Sequence, residues 1–289
     1  MSKIYRNYDV DELDAQYNLR RLWSDVPETI ARRENESRKL RLEINGQLDI
    51  PYGQSKMEKL DFFSPINEKK KRPGLIYIHG GYWQLSDKSD TTYIAPGFLD
   101  FGVCFITINY SLAPNGNIVD MVNQCRRAVL WVWKNSQDYG LDANRLYIAG
   151  HSAGGHLTAM MLTTNWKLID PEMPSQPFKG ACALSGIYDL EPIRLSPFVN
   201  EALGLKKEDV QYNSPIFLNP KLDIPLLLGV GELETEEFKR HQAELYSAWT
   251  AMGADITSLT VPDCHHYTIV EKFGNPESEF NRIVREIIL

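Results

Sequence analysis

Ser152 stands in a short segment whose residue types could carry nucleophilic chemistry. The segment, GHSAGG at residues 150–155, follows strand-like residues and precedes helix-forming residues. A sharp turn from strand to helix brings the positions two before and two after the serine together, which explains glycine at 150 and 154. Such a turn would hold the Ser152 hydroxyl at a helix N-terminus, where developing negative charge is favoured. A glycine-rich turn with a helix-capping serine is the alternative interpretation.

A serine nucleophile needs a base, and the position of each histidine narrows the choice. In chains with this turn the order is serine, then acid, then histidine. His265 and His266 follow the last predicted strand. We prefer His266, because the aromatic residue and short helix after it could hold its ring, and His265 is the alternative. His241 lies within a predicted helix, on a face that we expect to be exposed, whereas the other three histidines come before that turn, within it or in the helix that follows it.

The acid that orients the base should follow the predicted strand at residues 225–231. A glycine ends this strand, and Glu234 comes three residues later, where its carboxylate could turn back towards the histidine loop. Glu232 is the second choice. Glu236 and Glu237 are expected in the first turn of the next helix, where acids complement the helix dipole. Asp189, at the exit of the preceding strand, is a weaker rival.

Backbone donors for an oxyanion are predicted beside the first strong strand. The sequence YIHGGYW at residues 77–83 places two glycines in the loop that follows this strand. Gly81 and Tyr82 could aim their N–H groups at the oxyanion, together with Ala153 behind the nucleophile. We expect His79 to anchor this loop by hydrogen bonding and not to act as a base.

The elements that must position these residues alternate between strand and helix after residue 45. Apolar strand-like runs alternate with helical segments, which predicts βαβ units and an α/β fold. The near-continuous apolar strands favour a mostly parallel sheet with helices on both faces. We expect a single domain, 1–289, with a helical arm at residues 1–45 and a proline-rich cap or lid at residues 191–222.

The amino-acid composition limits the kinds of molecule that this protein could bind and the compartment in which we expect it. The 289 residues carry a net charge of −7, which disfavours a nucleic-acid partner. The sequence contains no apolar run of membrane-spanning length and no secretory signal, and its four cysteines lack paired spacing, so we expect a cytoplasmic protein. His151 and His156 are five residues apart and have no carboxylate cluster, which disfavours a metal site. No cofactor is predicted, and the sequence leaves open whether the chain forms a homodimer.

The segments HGGYWQLSDKSD, GHSAGGH and SGIYDLEP resemble those of the kynurenine formamidase (arylformamidase) group, which is close to carboxylesterases of the hormone-sensitive-lipase type. The resemblance spans essentially the whole chain and implies the α/β-hydrolase fold. By resemblance, Ser152, Glu234 and His266 fall on the family's triad positions. The chain departs from the family by carrying glutamate where aspartate is commoner.

These observations predict a serine hydrolase that cleaves aryl amides or esters with a small acyl group. Tyr82 replaces a third glycine, so it and Trp83 should crowd the acyl pocket. An aromatic leaving group would then lie near Tyr110 or Tyr188, although ordinary core packing is the alternative for these aromatics. A general carboxylesterase is the second hypothesis. A non-catalytic binding protein is the third, and the intact set of candidate residues argues against it.

Overall fold

An eight-stranded sheet forms the centre of the protein in a computed structural model that describes residues 2–65, 71–220 and 223–289. The inner strands are rich in apolar or β-branched residues and mostly buried, as a sheet covered on both faces requires, whereas the two edge strands are more exposed. The strands are β1 (Gly46–Pro51), β2 (Lys59–Phe63), β3 (Arg72–Ile78), β4 (Cys104–Ile108), β5 (Leu141–His151), β6 (Phe178–Leu184), β7 (Leu226–Gly231) and β8 (Ile256–Val261).

The sheet is mostly parallel. Its strand order is β1-β2-β4-β3-β5-β6-β7-β8, and β2 pairs antiparallel with both β1 and β4. All the other pairs, from β4 to β8, are parallel. The carboxyl ends of β3, β5, β7 and β8 therefore lie on one edge, where the loops after them can meet.

Helices connect the strands and cover both faces. The α-helices of the described residues are α1 (Val10–Tyr17), α2 (Val26–Glu43), α3 (Pro96–Leu99), α4 (Ile118–Lys134), α5 (Ala153–Leu162), α6 (Trp166–Ile169), α7 (Glu191–Leu195), α8 (Pro197–Leu203), α9 (Lys207–Asn213), α10 (Glu236–Ala251), α11 (Thr268–Gly274) and α12 (Glu279–Ile288). Three short 3₁₀ helices lie at Leu19–Arg21, Lys88–Ile94 and Pro215–Phe217. Within the described ranges, no helix is long and apolar enough to cross a membrane.

The core has two halves because successive strand residues point to opposite faces. Ile76, Ile78 and Ile148 pack on one face in a cluster shared with α4, α5 and α10. Tyr77 and Tyr147 pack on the other face with residues of α3, α11 and α12. The alternation of these side chains fixes which face of each strand meets which helices.

Three segments bear on the predicted organisation. The arm at residues 1–45 contains α1, α2 and a 3₁₀ helix, and the predicted cap contains α7, α8, α9 and another 3₁₀ helix, with residues 221 and 222 outside the described ranges. The sequence at 91–102 predicts one helix that ends at Gly102, but the structure divides this stretch between the 3₁₀ helix Lys88–Ile94 and the short α3. Pro96 begins α3, because proline lacks the N–H that a continuing helix would need.

Candidate active site

Ser152 lies at the turn between β5 and α5. Its backbone has φ 58° and ψ −119°, a conformation that side-chain-bearing residues rarely adopt. A Cβ atom at Gly150 would collide with the Gly154 carbonyl, and one at Gly154 would collide with the Ile78 carbonyl. Glycine at both positions therefore lets β5, α5 and β3 approach closely enough to hold this strained turn, which is typical of a catalytic serine.

The structure brings Glu234 and His266 together. His266 Nδ1 lies 2.7 Å from Glu234 Oε2, and both side chains are buried. The other carboxylate oxygen, Oε1, accepts hydrogen bonds from the Ser185 hydroxyl at 2.5 Å and from the Gly231 N–H at 2.8 Å. The carboxylate is thus fixed by three hydrogen bonds, and Nε2 is the His266 ring nitrogen that has no hydrogen bond to another described residue. The ring is held between Phe238 and His151, with centroids 4.4 Å from each.

The alternative acids lie elsewhere. Glu232 is exposed and accepts a hydrogen bond from the Asp263 N–H. Asp189 accepts from the Tyr5 hydroxyl at 3.1 Å. Glu236 and Glu237 occupy the first turn of α10. None of these side chains hydrogen-bonds to His266 within the part of the chain that the structure describes.

The two remaining late histidines are both held by the arm. His265 Nε2 lies 3.2 Å from Asp25 Oδ2, and its ring stacks on Trp23 at 4.6 Å. The expectation that His241 faces solvent is wrong: it is fully buried, with Nε2 3.0 Å from the Tyr17 hydroxyl. Burial lowers the pKa of His241 well below its ordinary value, with a smaller contribution from Arg240. The helix periodicity of α10 could not reveal this, because α1 covers that face.

The loop after β3 has the backbone shape of a tight turn. Gly81, Tyr82 and Trp83 have φ of 105°, 52° and 58°. Across the described residues, the N–H groups of Gly81, Tyr82 and Ala153 have no hydrogen-bond acceptor, so they are available to a ligand. His79 is buried and its Nδ1 lies 2.8 Å from the Gly80 carbonyl oxygen, while its ring stacks on Tyr110 at 4.5 Å. Burial lowers the pKa of His79.

A cavity of about 490 Å³ contains Ser152 and His266 in its wall. Gly81 and Tyr82 also line it, and Tyr267 lies beside His266. Three buried polar atoms in side chains of the wall have no hydrogen-bond partner among the described residues: His79 Nε2, His151 Nε2 and Arg33 Nη2. Their presence marks the cavity as a place where a polar ligand could supply missing partners.

The aromatics that were predicted to bind substrate are placed differently. Trp83, Tyr110 and Tyr188 are at most 1 % exposed and do not belong to the cavity wall. Trp83 donates its indole N–H to His156 Nδ1, and Tyr110 donates its hydroxyl to the His79 carbonyl. These aromatics pack in the core, and the tyrosines of the cavity wall among the described residues are Tyr77, Tyr82, Tyr93 and Tyr267.

The N-terminal arm joins the loops of the site, a feature that sequence reasoning missed. Tyr82 donates its hydroxyl to the Tyr17 carbonyl at 2.6 Å, and Thr235 donates to the Gln16 carbonyl at 3.0 Å. Together with the contacts of His265, these bonds connect the arm to the loops after β3, β7 and β8, which we call the oxyanion loop, the acid loop and the histidine loop. Polar α-helices with few apolar residues give no sequence signal for such long-range contacts.

The described residues contain no group of three or more His, Cys, Asp or Glu side chains placed to hold a metal ion. Within them, the candidate chemistry rests on a serine, a histidine–carboxylate pair and free backbone donors. This set can form and hydrolyse an acyl-serine.

Comparison with known proteins finds kynurenine formamidases among the relatives of this chain. The family model described as BD-FAE matches residues 60–221. The chain is 32 % identical to a kynurenine formamidase of Danio rerio over 98 % of both chains. It is 35 % identical to a kynurenine formamidase of Salmo salar, over 83 % of this chain and 81 % of that one.

Solved structures share the fold. A crystal structure assigned as a thioesterase of Silicibacter sp. tm1040 has a TM-score of 0.82 and 26 % identity, over 95 % of this chain and 99 % of that one. Esterase B from Lactobacillus rhamnosis has a TM-score of 0.74 and 18 % identity, over 96 % of this chain and 95 % of that one. The second likeness, at this identity, concerns the fold alone.

Proposed function

Since the chain belongs to the kynurenine formamidase family of α/β-hydrolases and is a hydrolase of the arylformamidase and esterase type, we propose that it cleaves aryl formamides such as N-formylkynurenine. The observation that carries this proposal is the pairing of Glu234 with His266 in the wall of the cavity that also contains Ser152. We assign Ser152 as nucleophile, His266 as base and Glu234 as the group that orients the base.

Acylation begins when His266 Nε2 takes the hydroxyl proton of Ser152 and the serine oxygen bonds to the formyl carbon. The Nδ1–H of His266 keeps its hydrogen bond to Glu234, and the negative charge of this carboxylate stabilises the imidazolium. The oxyanion of the tetrahedral intermediate accepts from the N–H groups of Gly81, Tyr82 and Ala153. Removal of one such donor typically costs about 3 kcal/mol of transition-state stabilisation.

Collapse of the intermediate breaks the carbon–nitrogen bond. The imidazolium gives its proton to the departing aryl amine, which leaves a formyl ester on Ser152. Water then loses a proton to His266 and attacks this ester, releasing formate and restoring the serine hydroxyl. Tyr82 in the cavity wall favours a small acyl group, because its side chain occupies the position that a third glycine would leave open.

Ester cleavage is a second candidate activity. The structure assigned as a thioesterase is 26 % identical to this chain, and the same acyl-serine route cleaves an activated ester. We also place the protein in the cytoplasm, because all four cysteines are unpaired and buried, as in a reducing compartment. Cell fractionation tests that location.

Rates on N-formylkynurenine and p-nitrophenyl acetate, measured side by side, test the proposed reaction. We expect a higher kcat/KM on the formamide. Ser152→Ala should remove about 10⁴-fold or more of the activity on both substrates while leaving the fold intact. Turnover of the ester with none of the formamide would replace the proposal by a carboxylesterase. Binding without turnover of either would support a non-catalytic protein.

A further inference from the structure

Arg33 is a cation in the cavity wall that the proposed reaction does not use. It lies on α2, and its side chain is 12 % exposed. Its Nη2 is buried and has no hydrogen-bond partner among the described residues, although it belongs to a wall residue of the cavity that contains Ser152. An unpaired charged donor in such a place is unfavourable, and a ligand that pairs with it recovers the lost interaction.

The nearby acid leaves this cation only partly neutralised. Glu271 Oε1 lies 3.3 Å from Arg33 Nε, but the same oxygen lies 2.6 Å from Arg32 Nη2. Two guanidinium groups therefore share one carboxylate, which leaves a positive charge beside the cavity. The Arg33 guanidinium also lies 5.2 Å from the centre of the Tyr93 ring, and this contact restricts its position.

The other charged groups of the wall do not compete for Nη2. Asp90 accepts from the Ser86 hydroxyl and from the Asp87 N–H. Glu34 is exposed, and so is Arg20, which adds a second cation to the wall. The positive charge of Arg33 also acts on the turn that holds Ser152. The pKa of His151 is lowered mainly by burial, then by His266, and then by Arg33.

We propose that Arg33 binds a carboxylate of the substrate and makes the site selective for aryl formamides whose leaving group carries one. This inference rests on the proposed function. A carboxylate matches the fork of a guanidinium and would take the free Nη2 donor. The formyl group would lie on Ser152 while the acidic end of the leaving group pairs with Arg33 in the wall of the same cavity.

Two formamides that differ only in this group test the proposal: N-formylkynurenine and N-formylkynuramine, which lacks the carboxylate. For the wild-type protein we expect a higher kcat/KM on the acid, through KM. In Arg33→Gln, the ratio of the two kcat/KM values should fall about 10- to 100-fold, which is the usual worth of a hydrogen bond to a charged group. Arg33→Lys should retain part of the ratio because it keeps the charge.

Arg38→Gln is the matched control. Arg38 also lies on α2, but it is exposed, donates to Asn35 and lies outside the cavity wall, so its loss should leave the ratio unchanged. A ratio that is near one in the wild-type protein, or that is equal in Arg33→Gln and wild type, would overturn the assignment. So would a ratio that falls equally in Arg38→Gln.

A second readout does not depend on formamide cleavage. Kynurenine and kynuramine should inhibit p-nitrophenyl acetate hydrolysis. In Arg33→Gln, the inhibition constant of kynurenine should rise about 10- to 100-fold, whereas that of kynuramine should rise less. If no formamide is cleaved but this difference holds, the proposed reaction fails and the carboxylate site stands. If both formamides are cleaved and the difference is absent, the reaction stands and the site fails.

Discussion

The two carboxylate oxygens of Glu234 accept hydrogen bonds from different partners. Oε1 accepts from Ser185 and Gly231, which fixes the carboxylate, and Oε2 accepts from His266. The extra methylene relative to the family's commoner aspartate is accommodated because the side chain turns back over Gly231, whose N–H it reaches at 2.8 Å. Glu234 is therefore both a structural acceptor and the hydrogen-bond partner of His266, the proposed base.

Removing the charge of Glu234 should separate these two roles. Glu234→Gln keeps the size of the side chain but cannot stabilise the imidazolium, so kcat should fall about 10²- to 10⁴-fold. Steady-state rates of purified protein measure this. Glu232→Gln is the matched control, and because Glu232 is exposed we expect a change of less than about twofold. Equal losses in the two variants would contradict the assignment of the acid.

The adjacent histidines should behave differently for a geometric reason. His266 bonds to Glu234, whereas His265 bonds to Asp25 and stacks on Trp23. His266→Ala should lose nearly all activity, about 10⁴-fold or more. His265→Ala should lose mainly stability, measured by urea denaturation. The reverse pattern of rates would make His265 the base.

At the scale of elements, the arm connects loops that the sheet only brings to a common edge. α1 meets the oxyanion loop through Tyr82 and the acid loop through Thr235, and the segment between α1 and α2 meets the histidine loop. α2 is fastened by Ser37, whose hydroxyl donates to the Asp90 carbonyl and accepts from the Tyr93 N–H. The arm therefore stiffens the site from one side.

Loss of one of these bonds should have a measurable effect. Tyr82→Phe removes the donor to the Tyr17 carbonyl but keeps the ring, so the free energy of unfolding should fall by about 1 kcal/mol. We expect kcat to fall more than KM rises, since the oxyanion loop loses its fastening. Tyr212→Phe is the control, because Tyr212 is 73 % exposed. Identical unfolding midpoints and rates in Tyr82→Phe and wild type would contradict this role of the arm.

Local pattern predicted the turn at Ser152, the alternating strands and the preference for Glu234 over Glu232, because these depend on residues close in sequence. The burial of His241 could not be predicted, since it depends on α1, more than two hundred residues earlier in the chain. The same limit applies to Trp83 and Tyr110, whose aromatic character fits a core or a pocket equally well. Only the packed structure shows that Arg33 enters the wall of the site.

At the scale of the whole molecule, buried neutral histidines link stability to pH. His156 accepts from the Trp83 indole at Nδ1, and its Nε2 lies 2.7 Å from the Asn213 carbonyl oxygen, so the neutral ring satisfies both neighbours. Protonation of Nδ1 would place its new N–H against the indole N–H of Trp83, so that two donors would face each other without an acceptor. Burial lowers the pKa of His156 to about 4, partly offset by the bond to Asn213.

Acid should therefore destabilise the protein through His156. Its pKa is about 6.5 when unfolded and about 4 when folded, so the unfolded state binds the proton first as pH falls. The contribution of neutral His156 to the free energy of unfolding is present above about pH 6.5 and is lost towards pH 4. It amounts to about 3 kcal/mol. Urea denaturation across this range measures it. His156→Gln should flatten that part of the profile, and an unchanged slope would contradict the assignment.

The contacts of the arm also set when, during synthesis, activity can begin. Gln16 and Asp25 leave the ribosome long before the residues that they meet, because Thr235 and His265 come near the other end of the chain. A nascent chain that already contains Ser152, the oxyanion loop and the arm still lacks the proposed acid and the proposed base. On the proposed assignment, hydrolysis requires that translation has passed His266, and a product terminated before that residue should not consume substrate.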